Sequence, residues 1–269
     1  MLTAIRPSES ATCKGIPLSK KLRIVSRVFL LPDVHAPYHD RNAFACALRV
    51  IAGGGYDRVV CLGDFADFAA VSSHPKDPDR LLPFDQEVRG VNAALDELDA
   101  ACKAGKVKRK DYIAGNHETR LARYVLGIAP ELRTFIDWRD MLHIDRRRWT
   151  MTAYKESLQI GELRISHDFG RAGVNAARES CRDMGHSVAF GHTHRMQVHY
   201  QGQLDGSRHV GATLGWLGDP EAIDYRHKDA IRRDSIHGFG HLIVLDNGLF
   251  WLQAIPIIQN VAVVDGVLY

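Results

Sequence analysis

The sequence predicts an α/β protein in which two β-sheets pack face to face with helices on the outside. Three observations carry this. The first half reads β-α-β-α-β, which implies parallel pairing, and the second half consists mostly of short strands. No repeat, low-complexity stretch or linker divides them, so 23–269 reads as one domain behind a polar, aperiodic arm at 1–22. With hydrophobic residues at 45% and charged residues at 25%, the 269-residue chain matches soluble globular proteins, which excludes a disordered, collagen-like or coiled-coil chain.

The elements follow in order. Segment 24–32 is apolar and short, as a buried strand requires. Phe44, Ala47, Leu48 and Ile51 recur at helical spacing over 41–52, and Gly53-Gly54-Gly55 ends that helix. A second strand spans 57–62 and completes a βαβ unit. Pro75, Pro78 and Pro83 make 72–84 a loop. Val88, Val91, Leu95, Leu98 and Cys102 form one stripe of a helix over 85–103, followed by a strand near 107–114 and a helical stretch over 117–137 broken near Pro130. Beyond it, strands are expected at 150–154, 162–166, 187–190, 196–201, 208–213, 241–245 and 249–255, with a helix near 171–184. Segment 214–240, with Trp216, Tyr225, His227, Arg232 and His237, is too long for a turn and reads as a lid or small surface insertion.

Composition narrows the function. A net charge of +3 is too mild to argue for nucleic acid or a membrane surface by itself. Cys13, Cys46, Cys61, Cys102 and Cys181 are odd in number and contain no CxxC pair, which argues for reduced thiols in a cytoplasmic protein over a zinc-thiolate or disulfide framework. The first residues do not resemble a signal peptide, and no run approaches 18 apolar residues, so no membrane association is expected. The unusual entry is histidine, at 14 residues.

Histidine placement carries the chemistry. The first strand is followed by Asp33-Val34-His35, the second by Gly63-Asp64-Phe65-Ala66-Asp67 and the third by Gly115-Asn116-His117-Glu118. The strand at 162–166 is followed by His167, and that at 187–190 by Gly191-His192-Thr193-His194. In Asp33-x-His35 and His192-x-His194, extended backbone would point both members the same way. Glycine at 63, 115 and 191 permits tight turns and close backbone approach. Taken singly, each motif is more often a surface feature or a satisfied polar residue; five in order, each directly after a strand, converge on one sheet edge. Oxygen and imidazole donors without thiolate suit Mn, Fe or Zn. Asp33, His35, Asp64, Asn116, His167, His192 and His194 suffice for two metals sharing a carboxylate, an arrangement that clamps a phosphoryl group.

These residues resemble the calcineurin-like metallophosphoesterase superfamily, whose pattern is D-x-H, G-D-x-x-D, G-N-H-[DE], a lone H and G-H-x-H. The resemblance covers essentially the whole chain after residue 22, and implies an αββα sandwich of two mixed β-sheets flanked by helices and a two-metal hydrolase. It implies that Asp33, His35, Asp64 and His194 hold one metal, that Asp64 bridges, and that Asn116, His167 and His192 complete the second. Mn is the first expectation, with Fe, Zn, Ni or Mg compatible. A metal-bridging hydroxide would be the nucleophile, His117 would stabilise the phosphate and protonate the leaving oxygen, and Asp67 would orient His117. There are departures. The superfamily's protein Ser/Thr phosphatases carry Arg directly after the second acid, where this chain has Phe68; His167 is followed by Asp168, with glycine delayed to Gly170. Asp168 reads as a turn residue or a partner for an imidazole.

The leading reading is therefore a phosphodiesterase. A DNA or RNA nuclease like the Mre11/SbcD branch and a phosphomonoesterase are its alternatives, and a non-catalytic binding scaffold like Vps29 is remote because every ligand position is filled. Arg120, Arg195 and His39 lie close to the motifs and are candidate substrate contacts, since guanidinium suits bidentate phosphate binding. The bland reading puts Arg120 and Arg123 on the solvent face of a helix. Of two basic runs, Lys106–Lys110 reads as a solvated face opposite the metal edge, and Arg146-Arg147-Arg148 beside Trp149 is a candidate nucleic-acid contact. The partner expected is a phosphate ester, with nucleic acid possible; the sequence sets no oligomeric state.

Overall fold

The computed structural model describes residues 22–74, 82–204, 206–223 and 234–269. The arm expected at 1–22, apart from Leu22, lies outside the described residues, as do 75–81 of the expected loop and 224–233 of the expected insertion.

The first half contains β1 (Ile24–Leu31), α1 (Arg41–Ala52), β2 (Arg58–Cys61), α2 (Phe84–Ala104), β3 (Arg109–Ile113), α3 (Glu118–Ile128), α4 (Trp138–Met141) and β4 (Thr150–Thr152). The second contains β5 (Leu158–Ile160), β6 (Leu163–Ser166), α5 (Ala176–Met184), β7 (Ser187–Phe190), β8 (Met196–Gly202), β9 (Arg208–Leu214), β10 (Gly238–Leu245) and β11 (Phe250–Pro256), then a small hairpin of β12 (Val263–Val264) and β13 (Val267–Leu268). One sheet runs β11-β10-β1-β2-β3-β4 and the other β5-β6-β7-β9-β8. The strands β1 to β4 are parallel, β10 is antiparallel to β1, and β6, β7 and β9 are parallel. Both sheets are thus mixed, and the architecture is the αββα sandwich implied above.

The period of two along each strand assigns the layers. Phe29 and Leu31 of β1, Val59 and Cys61 of β2 and Tyr112 of β3 face outward, where Phe44 and Ala47 of α1 and Val91, Leu95 and Leu98 of α2 cover them. Their neighbours Val28, Leu30, Val60 and Ile113 face inward and meet Leu163, Ile165, Ala189, Ala212 and Leu214 of the second sheet. On that sheet's outer face, Val188 and Phe190 are covered by Ala176 and Cys181 of α5. Asp40 caps α1, its side chain accepting from the backbone N–H of Asn42 and Ala43, both at 2.9 Å.

Departures from the sequence reading have local causes. The helical stretch expected over 117–137 stops at Ile128, with a single 3₁₀ turn at Pro130–Leu132, because proline cannot donate into the helix. The helix expected near 171–184 begins only at Ala176. The strands β5, β12 and β13 have two or three residues each, too few for a periodicity to register. The strand expected at 241–245 begins at Gly238, where Gly238 and Gly240 hide β-character from a propensity reading.

Phe29 anchors the outer face of β1. It is fully buried, stacks on Phe239 at 4.5 Å and meets Tyr56 edge-on at 5.3 Å. We expect Phe29→Ala to destabilise the fold by about 3–5 kcal/mol, read as a lower urea midpoint at unchanged m; a shift under about 1 kcal/mol would show that the three rings do not form this core.

Candidate metal centre

Each motif leaves the carboxyl end of a strand: Asp33 and His35 after β1, Asp64 and Asp67 after β2, Asn116 and His117 after β3, His167 after β6, His192 and His194 after β7. The backbone there is not extended. Asp33 (φ 32°), His35 (56°), Asp64 (48°), His192 (64°) and His194 (58°) are all left-handed. The paired members of Asp33-x-His35 and His192-x-His194 therefore reach one centre through tight turns, not through strand alternation. Non-glycine residues in this region store about 1–3 kcal/mol each and persist only where surroundings over-determine them.

The surroundings do so with hydrogen bonds. Asp33 accepts the His192 N–H at Oδ1 and Oδ2 (2.8 and 3.0 Å), and its carbonyl accepts the Leu217 N–H at 2.9 Å. Asp64 Oδ1 accepts the His117 N–H at 2.9 Å, and the His35 N–H donates to the Asp64 carbonyl at 2.9 Å. Glu118, fully buried, accepts from Asp64 N, Ala66 N, Gly115 N and Tyr112 Oη at 2.7–3.0 Å.

Among the described residues the donors gather in two groups, with a third group, His35, Asp67 and His117, overlapping the first. Asp33, His35 and His194 form one, and Asp64, His167 and His192 the other, the donor atoms of each lying within 4.8 Å of one another. Asn116 Oδ1 joins the second, 2.9 Å from both His167 Nε2 and His192 Nδ1. Asp64 Oδ2 is 3.3 Å from His167 Nε2 and 3.6 Å from His117 Nε2. The resemblance implied Asp64 on both metals; here its carboxylate groups with His167 and His192.

The tautomers fit cations. His35 Nδ1 lies 2.9 Å from Asp67 Oδ2, and His167 Nδ1 lies 2.8 Å from the Leu62 carbonyl. Those oxygens only accept, so each Nδ1 carries a proton, and each Nε2, once deprotonated, would turn a lone pair inward. His35 Nε2 and His194 Nε2 are 3.0 Å apart. Charge agrees with geometry. Burial pushes Asp33 up to about 7, with Asp64 adding to it against His167 and His35. Burial opposes protonation of His167, but the carboxylates of Asp64, Asp33 and Glu118 outweigh it and raise the ring to about 10. Asp64 is held well below the carboxylate range, burial being overcome by His117, His167 and His35. Cations would replace the protons in this well of negative potential.

Asp67 reaches both His117, as expected, and His35. Its Oδ2 pairs with His35 and its Oδ1 accepts from Arg120 Nη1 at 2.9 Å; His117 Nδ1 donates to the Asp67 backbone carbonyl at 3.1 Å, its distance to Oδ2 being 3.5 Å. The carboxylate thus orients His35, and the peptide behind it orients His117. Arg120 is not on a solvent face. It is buried, donates to the Asp67 carbonyl and carboxylate, and its Nη2 lies 2.8 Å from His117 Nε2.

Neither other candidate contact lines the cleft over the ligands, about 240 Å³ bounded by Asp64, His74, Asn116, His117, Arg120, His192 and His194. His39 is buried against Phe44 at 4.9 Å, where burial lowers it to about 4. Arg195 pairs with Asp234 at 2.7 Å and donates to the Ala172 carbonyl at 3.1 Å. Asp168 is a turn residue: it accepts from Tyr154 Oη and Gly170 N, both at 2.8 Å. Of the basic runs, Arg147 is consumed by Asp96, Asp99 and the Leu142 carbonyl, and Lys108, Arg109 and Lys110 pair with Asp57, Asp111 and Asp99.

Two residues of the site were given no role from sequence. Glu118 was visible only as the last letter of Gly-Asn-His-Glu. Trp216, read as part of a lid, is buried and stacks on His194 at 4.4 Å with its plane 14° away. The described flanks of the 214–240 segment are anchors: the Trp216 N–H donates to Ile236 O, and the Ile236 N–H to His194 O.

The ligand loops follow the strand ends in the order the resemblance implied. No protein-family model matches the chain. It is 25% identical over 183 residues to the Gene 54 protein of Mycobacterium phage D29, covering 64% of this chain and 70% of that one. Among solved structures it is similar to a single mutant of Vps29 from Entamoeba histolytica (TM-score 0.44, 12% identity, 90% of this chain and 96% of that one). It is also similar to YfcE, a phosphoesterase from E. coli (TM-score 0.39, 15% identity, 85% and 98%) and to the nuclease MPE of Pseudomonas putida (TM-score 0.36, 15% identity, 84% and 87%).

Two outcomes test the site. Because His167 must lose a proton to ligate, Mn²⁺ should bind more tightly as pH rises from 6 to 8, with proton release visible by calorimetry in buffers of different ionisation heat; pH-independent binding would remove His167 from the site. A Cβ on Gly191 would stand 2.1 Å from Asp33 Oδ2. Gly191→Ala should therefore weaken Mn²⁺ binding by about tenfold or more with the secondary structure intact by circular dichroism, and unchanged affinity would mean Asp33 is no ligand.

Proposed function

We propose that the protein is a metal-dependent phosphoesterase that hydrolyses phosphodiesters. The observation that supports it is the convergence of seven oxygen and imidazole donors, from five strand ends, into two adjoining groups. Two divalent cations, Mn²⁺ by this reading, would polarise the phosphoryl oxygens and activate water between them.

The chain's own residues then bind and orient. His35, His194, His167 and His192 fix the donor lone pairs inward, and Trp216 holds the His194 ring in plane. His117 and Arg120 line the cleft, so a phosphate over the ligands meets them. His117 Nε2 accepts from Arg120, so the ring delivers a proton to a leaving oxygen only after taking one up there. Burial disfavours that uptake and lowers His117, while Asp64 and Asp67 favour it. Its resting contribution is to hold the guanidinium over the cleft.

Charge argues for a diester. A monoester carries about −1.5 to −2 at pH 7, a diester −1. One guanidinium borders the cleft, and its charge is already shared with Asp67. Where a phosphatase arginine would stand, Phe68 is fully buried. The four cysteines among the described residues are free and buried, in keeping with a reducing cytoplasm, and no described helix is long and apolar enough to cross a membrane.

The test is turnover of bis-p-nitrophenyl phosphate against p-nitrophenyl phosphate by metal-stripped protein reconstituted with Mn²⁺. The diester should be favoured, and Asp64→Asn should lower its kcat/KM by about 10³-fold, roughly 4 kcal/mol of transition-state stabilisation. Preference for the monoester overturns the diester assignment, and a fully active Asp64→Asn variant overturns the metal mechanism.

A further inference from the structure

A second cleft, of about 490 Å³, opens beside the metal centre between α3, the 133–139 stretch and β4 with the turn after it. It is within the range of small-molecule sites. Its floor and walls include Val125, Ile136, Trp138, Met151 and Tyr154, with guanidinium and carboxylate groups from Arg133, Arg139, Asp137 and Glu156 among the lining.

Its lining holds no metal ligand, but three of its residues lie next to ligands in the chain or in space. Ala114, in its lining, precedes Gly115-Asn116. Thr119, also in its lining, donates from Oγ1 to the Asn116 carbonyl at 2.7 Å. The Tyr154 ring lies 6.1 Å from the His167 ring, and its hydroxyl is tied down to Asp168. A phosphate on the metal ligands thus has this cleft as its neighbour on the α3 side.

We infer that this cleft seats the nucleobase of a nucleoside phosphodiester. The inference rests on the phosphodiesterase reading above and names its substrate class. The rings of Tyr154 and Trp138 in the lining suit a π-face; Arg139 and Asp137 pair with each other, so the donor–acceptor edge of a base would meet Arg133 and Glu156. Arg133, in the lining, puts positive charge beside α3, which favours a phosphate-bearing ligand. Arg123, on the same helix, donates to the Asn116 carbonyl at 3.2 Å, and Phe135, beside the cleft residue Ile136, is 84% exposed. The base-bearing diester comes either from a free nucleotide or from a single strand, which stacks on exposed aromatic side chains such as Phe135.

The experiment uses Mn²⁺-loaded protein and two diesters with the same leaving group, thymidine 5′-(p-nitrophenyl phosphate) and methyl p-nitrophenyl phosphate. Wild type should favour the thymidine ester about tenfold or more in kcat/KM, the scale of one base–aromatic stack. Ala122→Trp fills the cleft from exposed α3, and Ala153→Trp from the opposite wall. Either should erase the preference while leaving methyl-ester turnover unchanged. Equal turnover of both esters by wild type, or a preference that survives both substitutions, overturns the inference and leaves the phosphodiesterase reading standing. If neither ester turns over, that reading fails separately, and calorimetric binding of thymidine 5′-monophosphate decides the cleft: binding lost in both variants supports it, and absent or unaltered binding overturns it. Competition by decathymidylate at least tenfold stronger than by the monophosphate assigns the source to a strand, and equal competition assigns it to a nucleotide.

Discussion

Glu118 accepts four hydrogen bonds at one buried point, from Asp64 N, Ala66 N, Gly115 N and Tyr112 Oη. Three of those donors belong to the loops after β2 and β3, which carry Asp64, Asn116 and His117. Without this carboxylate, three buried N–H groups would lose their acceptor, a cost of about 1–3 kcal/mol each. Burial and the Asp64 charge push Glu118 up, while the donors from Ala66 and Tyr112 hold it down. Positions of ligands drawn from two strand ends thus depend on one side chain that touches no substrate.

Strain and its restraint recur around this anchor. Five ligand residues and Phe68 adopt left-handed backbone, and each sits next to a restraint drawn from elsewhere in the chain. Glu87 of α2, buried, accepts from Ala69 N and Ala70 N at 2.6 and 3.1 Å and so holds the turn that follows Asp67 and Phe68. The Asp33 carboxylate holds His192, and the β9–β10 flanks hold Asp33 and His194 through Leu217 and Ile236. Such turns place donors from both sheets at one point because the inter-sheet core, Leu30, Val60 and Ile113 against Ile165, Ala189 and Leu214, brings their carboxyl edges together.

Most of the donor set was legible in the sequence because its signal is local: Asp33-x-His35, Gly-Asp, Gly-Asn-His-Glu and Gly-His-x-His each occupy a few residues after an apolar run. Second-layer roles were not legible. Asp67 stands where an acid orienting His117 is expected and does meet that ring, but its carboxylate also pairs with His35 and with Arg120 of α3, contacts no local motif marks. Arg120 read as a helix-surface residue because helical spacing cannot say which face meets a loop fifty residues earlier. Trp216 read as part of an insertion because nothing local marks a ring that stacks on His194.

The sequence by itself determined the alternation that assigns residues to layers, the strand-then-ligand order and the chemistry of the donors. These follow from periods of two and 3.6 and from side-chain type, which no long-range contact alters. The tertiary structure alone decided the left-handed turns that aim the donors, the Nδ1 partners Asp67 and the Leu62 carbonyl, and the cleft beside α3. Each depends on atoms brought together from distant parts of the chain. Their mutual distance is fixed by how the two sheets pack, a quantity that no local window contains.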